Sequence, residues 1–167
     1  MKKMMCAMVF VVMSITMNSC SADSAEATEN TTTTQTLITN YDYNDSEIET
    51  MKLINDYRVS IGLNALERIN HISYKCEEHN KYMIANNVVD HNDFTSRSDN
   101  MISVLGAKKV AENVAYNYKT SDAVLKAWLD SPGHKENIEG DFTNFGLSVT
   151  TDPKTGKKYY TNIFVKI

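Results

Sequence analysis

Ala127–Gly140 reads AWLDSPGHKENIEG. A helical run carrying the chain's only tryptophan, Trp128, stops at Ser131-Pro132-Gly133, and a histidine follows at once. Proline rigidifies such a corner, and glycine permits a positive φ and close packing. Pro132 and Gly133 are therefore expected to fix His134 at a helix end. His91 also stands at a turn, just after Asn86-Asn87. The two histidines are distant in sequence, so only the fold can bring them together; a local H-E-x-x-H metal motif would need no such help. Upstream, Ser121 to Asp130 reads as a helix capped by Thr120 or Ser121, with Val124 and Trp128 stacked at i, i+4. Downstream the period changes to two. Phe145, Leu147 and Val149 alternate, Asp152-Pro153-Lys154-Thr155-Gly156 turns, and Thr161, Ile163, Val165 and Ile167 alternate again. That is a β-hairpin signal.

The first half is helical. Ser46 and Glu49 have the spacing of a capping box, and Ile48, Met51, Ile54 and Tyr57 follow on one face until Gly62 stops the helix. A second helix is expected from about Asn70 to Asn87, with Ile72, Cys76, His79 and Met83 on its apolar face. His91 to Lys109 reads as a looser region. Helices first and antiparallel strands later indicate an α+β fold with helices packed on a sheet.

Composition narrows the function. The formal net charge is −4 and basic residues never exceed two in a row, which argues against a nucleic-acid partner. Lys2-Lys3 precede the uncharged run Met4–Thr16, too short to span a bilayer. Residues 1–19 are therefore expected to be a secretory signal peptide. Met17-Asn18-Ser19-Cys20 resembles a bacterial lipobox, with Met17 in place of the usual leucine, so Cys20 is the expected lipidation site. A lipid there would anchor the chain on the outer side of a membrane in the cell envelope; simple cleavage and free secretion is the alternative. Residues 20–44 are polar, contain Thr31-Thr32-Thr33-Thr34, and read as a disordered tether before a domain spanning 45–167. Of the three cysteines only Cys76 would remain unmodified, so no internal disulfide is expected, and Cys76 on an apolar helix face reads as inert.

Six segments carry a family resemblance. LINDYRVSIGLNAL (Leu53–Leu66) resembles an LxNxxRxxxGLxxL opening, and CEEHNKYM (Cys76–Met83) a second-helix small-x-x-H-x-x-x-M. AENVAY (Ala111–Tyr116) resembles GENIAY, with Ala111 replacing glycine, and AWLDSPGHKENI (Ala127–Ile138) resembles AWxxSPGHRxNI. FGLSVT and YYTNIFV fall where late strands would lie. In this order they are similar to the bacterial CAP superfamily: cysteine-rich secretory proteins, antigen 5 and pathogenesis-related 1, or SCP-like domains. The resemblance implies an α-β-α sandwich over about 47–167. It also implies a cleft of two histidines and acidic residues that binds a divalent metal such as zinc in some members.

Carried over, the cleft positions are His91, Glu112 and His134, the candidate catalytic and metal-ligating set. The second acidic residue of many animal members falls on Ser131, beside Asp130, so the fourth position is either missing or taken by Asp130. Two neutral imidazoles and one carboxylate suit Zn²⁺ with an open water position. Glu112 reads either as a metal neighbour or water-polarising base, or as a structural acceptor in a turn. His79 reads as a packing histidine or one that supports a cleft residue from behind, His71 as solvated at a helix start, and Trp128 as core. Tyr116 and Tyr118 either line the cleft or cover the sheet. No Ser-His-Asp or Cys-His arrangement is evident, so any nucleophile would be a metal-activated water. Three functions follow: a tethered, monomeric domain binding a lipid, cell-envelope or protein ligand; a metal-dependent hydrolase; or a non-catalytic scaffold.

Overall fold

A computed structural model describes residues 36–167, all within one compact unit. The signal-peptide and Cys20 readings lie outside the described residues. The elements are α1 (Asp45–Ser60), β1 (Glu67–Arg68), α2 (Asn70–Asn86), α3 (Phe94–Leu105) and β2 (Lys109–Tyr116). They continue with α4 (Ser121–Asp130), α5 (Pro132–Ile138), β3 (Asn144–Thr151) and β4 (Lys158–Lys166). The sheet order is β1-β3-β4-β2, with β1 parallel to β3 and the other pairs antiparallel. The β3–β4 hairpin and the helices at α1, α2 and α4 are those the sequence predicts.

Both faces of the sheet are covered, which makes the fold an α+β sandwich. On one face Trp128, Ile138 and Ile54 from α4, α5 and α1 pack against Phe145, Leu147, Tyr160 and Phe164. On the other, Ile72 and Cys76 of α2 and Met101 of α3 meet Ile163 and Val165, while Met83 meets Val114 and Tyr159. β4 is consequently buried along nearly its whole length. Its Thr161-Ile163-Val165 alternation marks only the α2 side; Tyr160 and Phe164 serve the opposite side.

Four expectations change. The capping box is Asn44 with Glu47, two residues earlier than Ser46 and Glu49. Ser46 instead accepts a bond from Lys158, and Glu49 accepts one from Ser121. The tether reading of 20–44 fails for 36–44, which is fastened to the domain, and its remainder lies outside the described residues. Ile38 N–H donates to His71 Nδ1 (3.1 Å), Asn70 donates to the Thr39 carbonyl, and the Tyr41 hydroxyl bonds to Glu47 and Ser148. Tyr41, Tyr43, whose hydroxyl bonds to Asn70 and Ser73, and the buried capping carboxylate of Glu47 supply the anchoring that the polar composition conceals. His71 is therefore fully buried rather than solvated, with Nε2 2.6 Å from Asn100 Oδ1. His91 to Lys109 contains α3, ended by Gly106 at φ +70°.

Arg58 locks the lower end of α5. Its buried guanidinium donates to the carbonyls of Asn64, Ile138 and Gly140 at 2.6–2.9 Å. Pro132 occupies the first turn of α5 as expected, but Gly133 has neither a positive φ nor a close neighbour. The glycine that close approach requires is Gly146, where a Cβ would run into the backbone nitrogen of Ser73. Gly146→Ala should force α2 off the sheet and cost about 1–3 kcal/mol. Gly133→Ala should instead raise stability by roughly 0.5–1 kcal/mol through reduced freedom of the unfolded chain. Denaturant midpoints of the two variants check both signs; equal midpoints would contradict the packing argument.

Candidate functional site

Glu112 sits in the middle of β2, and its side chain is only 1% exposed. Alternation along the strand aims it at the α2–α3 layer, and Asn113 at the α5 layer. Arg97, in the first turn of α3, meets the carboxylate as a fork. Its Nε donates to Oε2 at 2.7 Å and Nη2 to Oε1 at 2.8 Å. His91 Nδ1 lies 2.8 Å from the same Oε1. An ionised carboxylate only accepts, so Nδ1 carries a proton, and in the neutral ring the lone pair is on Nε2. Burial works against the charge on Glu112, yet the bonds from His91 and Arg97 outweigh it and hold the carboxyl below its ordinary range.

The loop carrying His91 is pinned on both sides of that residue. His79 Nε2 donates to the Asp90 carbonyl at 2.9 Å, and Arg97 Nη1 donates to the Asn92 carbonyl at 2.7 Å. His79 also stacks on Tyr82, whose hydroxyl accepts from Asn92. The packing role read for His79 holds. A concavity of about 640 Å³, with His91, Asn92, Phe94 and Asp99 among its walls, opens beside this loop.

His134 arrives from the other layer. Asn113 donates to its carbonyl at 2.9 Å, and Asn137 reaches both Asn113 Oδ1 (2.8 Å) and the Glu112 carbonyl (3.2 Å). Trp128 Nε1 donates to the Val114 carbonyl. These two carbonyls point out from the free edge of β2, so α4 and α5 are stitched along that edge. Burial, and then the neighbouring His91, push His134 below the ordinary histidine range. The two histidines are near enough for their charges to interact, and the neighbouring strand residues Glu112 and Asn113 hold the His91 ring and the His134 backbone respectively.

The three-residue metal set does not fit in full. Both Glu112 oxygens are engaged by Arg97 and His91, and among the described residues no group of three His, Cys, Asp or Glu side chains is arranged to hold a metal ion. That leaves the His91 and His134 imidazoles as the uncommitted nitrogen donors of the set, with Glu112 bonded to His91 Nδ1. Asp130 is no substitute, since it faces solvent and pairs with Lys126 at 2.6 Å. Tyr116 packs on Tyr159, and Tyr118 accepts the Tyr160 hydroxyl through its carbonyl, so both cover the sheet. Cys76 is buried, donates towards the Gly146 carbonyl, and its thiol is pushed up by desolvation. Arg97 is the site residue that the sequence reading misses. It is one of three arginines, and the Phe94, Arg97, Met101, Leu105 spacing before Gly106 was the available signal.

These shifts fix a pH dependence. His79 and His134 resist protonation in the folded state, so stability falls as pH drops below 6.5, where the unfolded chain takes up protons. Glu112 contributes stability fully above 4.5 and loses it as pH falls through its lower folded value. Denaturant midpoints from about pH 7.5 to pH 3.5 should therefore decline in two stages. His134→Gln should flatten the first and Glu112→Gln the second. A level wild-type profile down to about pH 5.5 would contradict the histidine assignment.

The comparisons agree with this architecture. Residues 51–165 match the sequence profile of CAP, the cysteine-rich secretory protein family. The membrane protein YlbC of Bacillus subtilis is 31% identical over 125 residues, covering 72% of this chain and 34% of that protein. YkwD of the same organism is 32% identical over 127 residues, covering 74% and 48%. The chain thus spans between a third and a half of the length of these curated relatives. An extracellular SCP-domain protein of Bacillus anthracis superposes with a TM-score of 0.64 at 27% identity, covering 73% of this chain and 40% of that one. An outer surface protein of Borrelia burgdorferi gives 0.66 at 20% identity, covering 77% and 98%, a likeness of fold alone. Family profile, relatives and layered fold coincide: the chain belongs to the CAP family of cysteine-rich secretory proteins.

Proposed function

We propose that this chain is a CAP domain working outside the cytoplasm, tethered to a membrane through Cys20, and that it binds its ligand at the His91–His134 cleft. The observation that carries the binding reading is the state of Glu112. Its two oxygens accept three charge-assisted bonds that hold it ionised, which makes it a poor base towards water. The groups that remain are two imidazoles at the edge of β2. They suit a lipid, cell-envelope or protein ligand offering hydrogen-bond donors, or a divalent cation such as zinc. A cation held by His91 and His134 would supply Lewis acidity.

The envelope location draws on the charged, apolar, lipobox-like order of residues 1–20. It is supported by the extracellular B. anthracis protein and the membrane protein YlbC. Among the described residues no helix is long and apolar enough to cross a membrane.

A metal-dependent hydrolase is the second reading. It is favoured by one observation: His134, held neutral by burial beside His91, keeps a lone pair for water. Zinc calorimetry separates the readings, using the wild type with His91→Ala and His134→Ala variants of verified fold. Stoichiometric binding lost in both variants supports a shared two-imidazole site, and a hydrolysis screen of the zinc-loaded protein then tests catalysis. Absence of binding removes the hydrolase reading and leaves ligand binding without metal, or a scaffold. Separately, Cys20→Ala should move the chain from the membrane fraction to the soluble one. Continued membrane retention would overturn the lipid tether.

A further inference from the structure

We infer that Arg97 is the positioning residue of this cleft: it withdraws Glu112 from ligand binding and fixes which nitrogen of His91 keeps its lone pair. The inference rests on the reading of His91 as a cleft donor. It adds a residue that the family motifs above do not contain.

The argument starts from one guanidinium with three separate tasks. Its Nε–Nη2 edge forks onto both oxygens of Glu112, at 2.7 and 2.8 Å. Its remaining Nη1 holds the carbonyl of Asn92, the residue after His91, at 2.7 Å. The fork matches a carboxylate and orients its lone pairs, which a lysine's point charge cannot do. Arg97 is nearly as buried as its partner, with side-chain exposures of 10% and 1%, so water does not loosen the pair. The fork holds the carboxylate plane in place, and Oε1, which takes Nη2–H, also receives Nδ1–H of His91 at 2.8 Å. The imidazole is thereby set in the Nδ1–H tautomer, the less common form for a free histidine in water. The lone pair is then on Nε2.

The same contacts decide charge. Glu112 is balanced inside the protein by Arg97, so the pair adds no net negative charge to draw a cation. Any metal preference must come from the imidazole nitrogens. This favours Zn²⁺, Ni²⁺ or Cu²⁺ over Ca²⁺ or Mg²⁺, which need several oxygen ligands.

The experiment is side-chain nitrogen–proton correlation NMR of the ¹⁵N-labelled full chain, without metal, for wild type, Arg97→Lys and Arg97→Met. The wild type should show His91 as a single Nδ1–H tautomer. Arg97→Met should lose that pattern, and Arg97→Lys, which keeps the charge but not the fork, should give mixed tautomers. Should Arg97→Met fail to fold, Arg97→Lys decides. A wild-type pattern for His91 in either folded variant would overturn the inference and leave Arg97 a purely structural ion-pair partner. Because this readout is metal-free, it stands apart from the zinc test. Where zinc does bind, Arg97→Lys should weaken it roughly 10–100-fold, as loss of a residue behind a ligand does. An unchanged affinity would likewise count against the inference.

Discussion

The Arg97–Glu112 ion pair is the constraint on which the site's geometry depends. A carboxylate at 1% exposure cannot stand alone in a protein interior. Removing one partner of such a pair typically costs about 3–5 kcal/mol, because the other charge is left buried. The fold meets this requirement with a forked guanidinium and an imidazole N–H. Three pieces of chain are thereby brought to one point: β2, the first turn of α3, and the loop after α2. Glu112 is a structural charge before it can be anything else.

β2 then works as a seam between the two helical layers. Its position at the sheet edge leaves the carbonyls of Glu112 and Val114 without strand partners, a liability that proteins cover. Here Asn137 and Trp128 cover them. The same bonds hold α4 and α5 against the strand, and Arg58 ties down the far end of α5. So His91 is placed from the α2–α3 side and His134 from the α4–α5 side, through neighbouring residues of one strand. The corner Ser131-Pro132 matters because it starts α5 where Asn113 can reach the His134 carbonyl.

What the sequence reveals and conceals follows from physical range. Periodicity along one element was legible: α1, α2, α4 and the β3–β4 hairpin all came from spacing, and Cys76, His79 and Trp128 fell where their apolar faces put them. The motif order led to His91, Glu112 and His134. Partners across elements were not legible. Arg97 looked like an ordinary charge in a polar region because its carboxylate lies fifteen residues away on another element. His71 looked solvated because its acceptor role depends on Ile38, in a stretch whose composition reads as tether. Gly133 drew an explanation that belongs to Gly146, since close approach between a helix and a sheet leaves no mark in local sequence.

The missing second acid and the presence of Arg97 bear on the same chemistry. Where a further cleft carboxylate would stand, this chain has Ser131, and Asp130 beside it faces solvent with Lys126. One carboxylate remains, and an arginine cancels it. Bare electrostatic attraction, which acts over a Debye length of about 8 Å at physiological salt, therefore gives the two imidazoles no help from Glu112. Recognition in the proposed cleft must work at contact distance, through lone pairs whose direction is fixed. That demand explains why so much structure is devoted to orienting His91: the carbonyls on either side of it are held by His79 and Arg97, and its ring is held by Glu112. A site that relied on charge could tolerate a mobile loop there. One that relies on a single nitrogen's direction cannot.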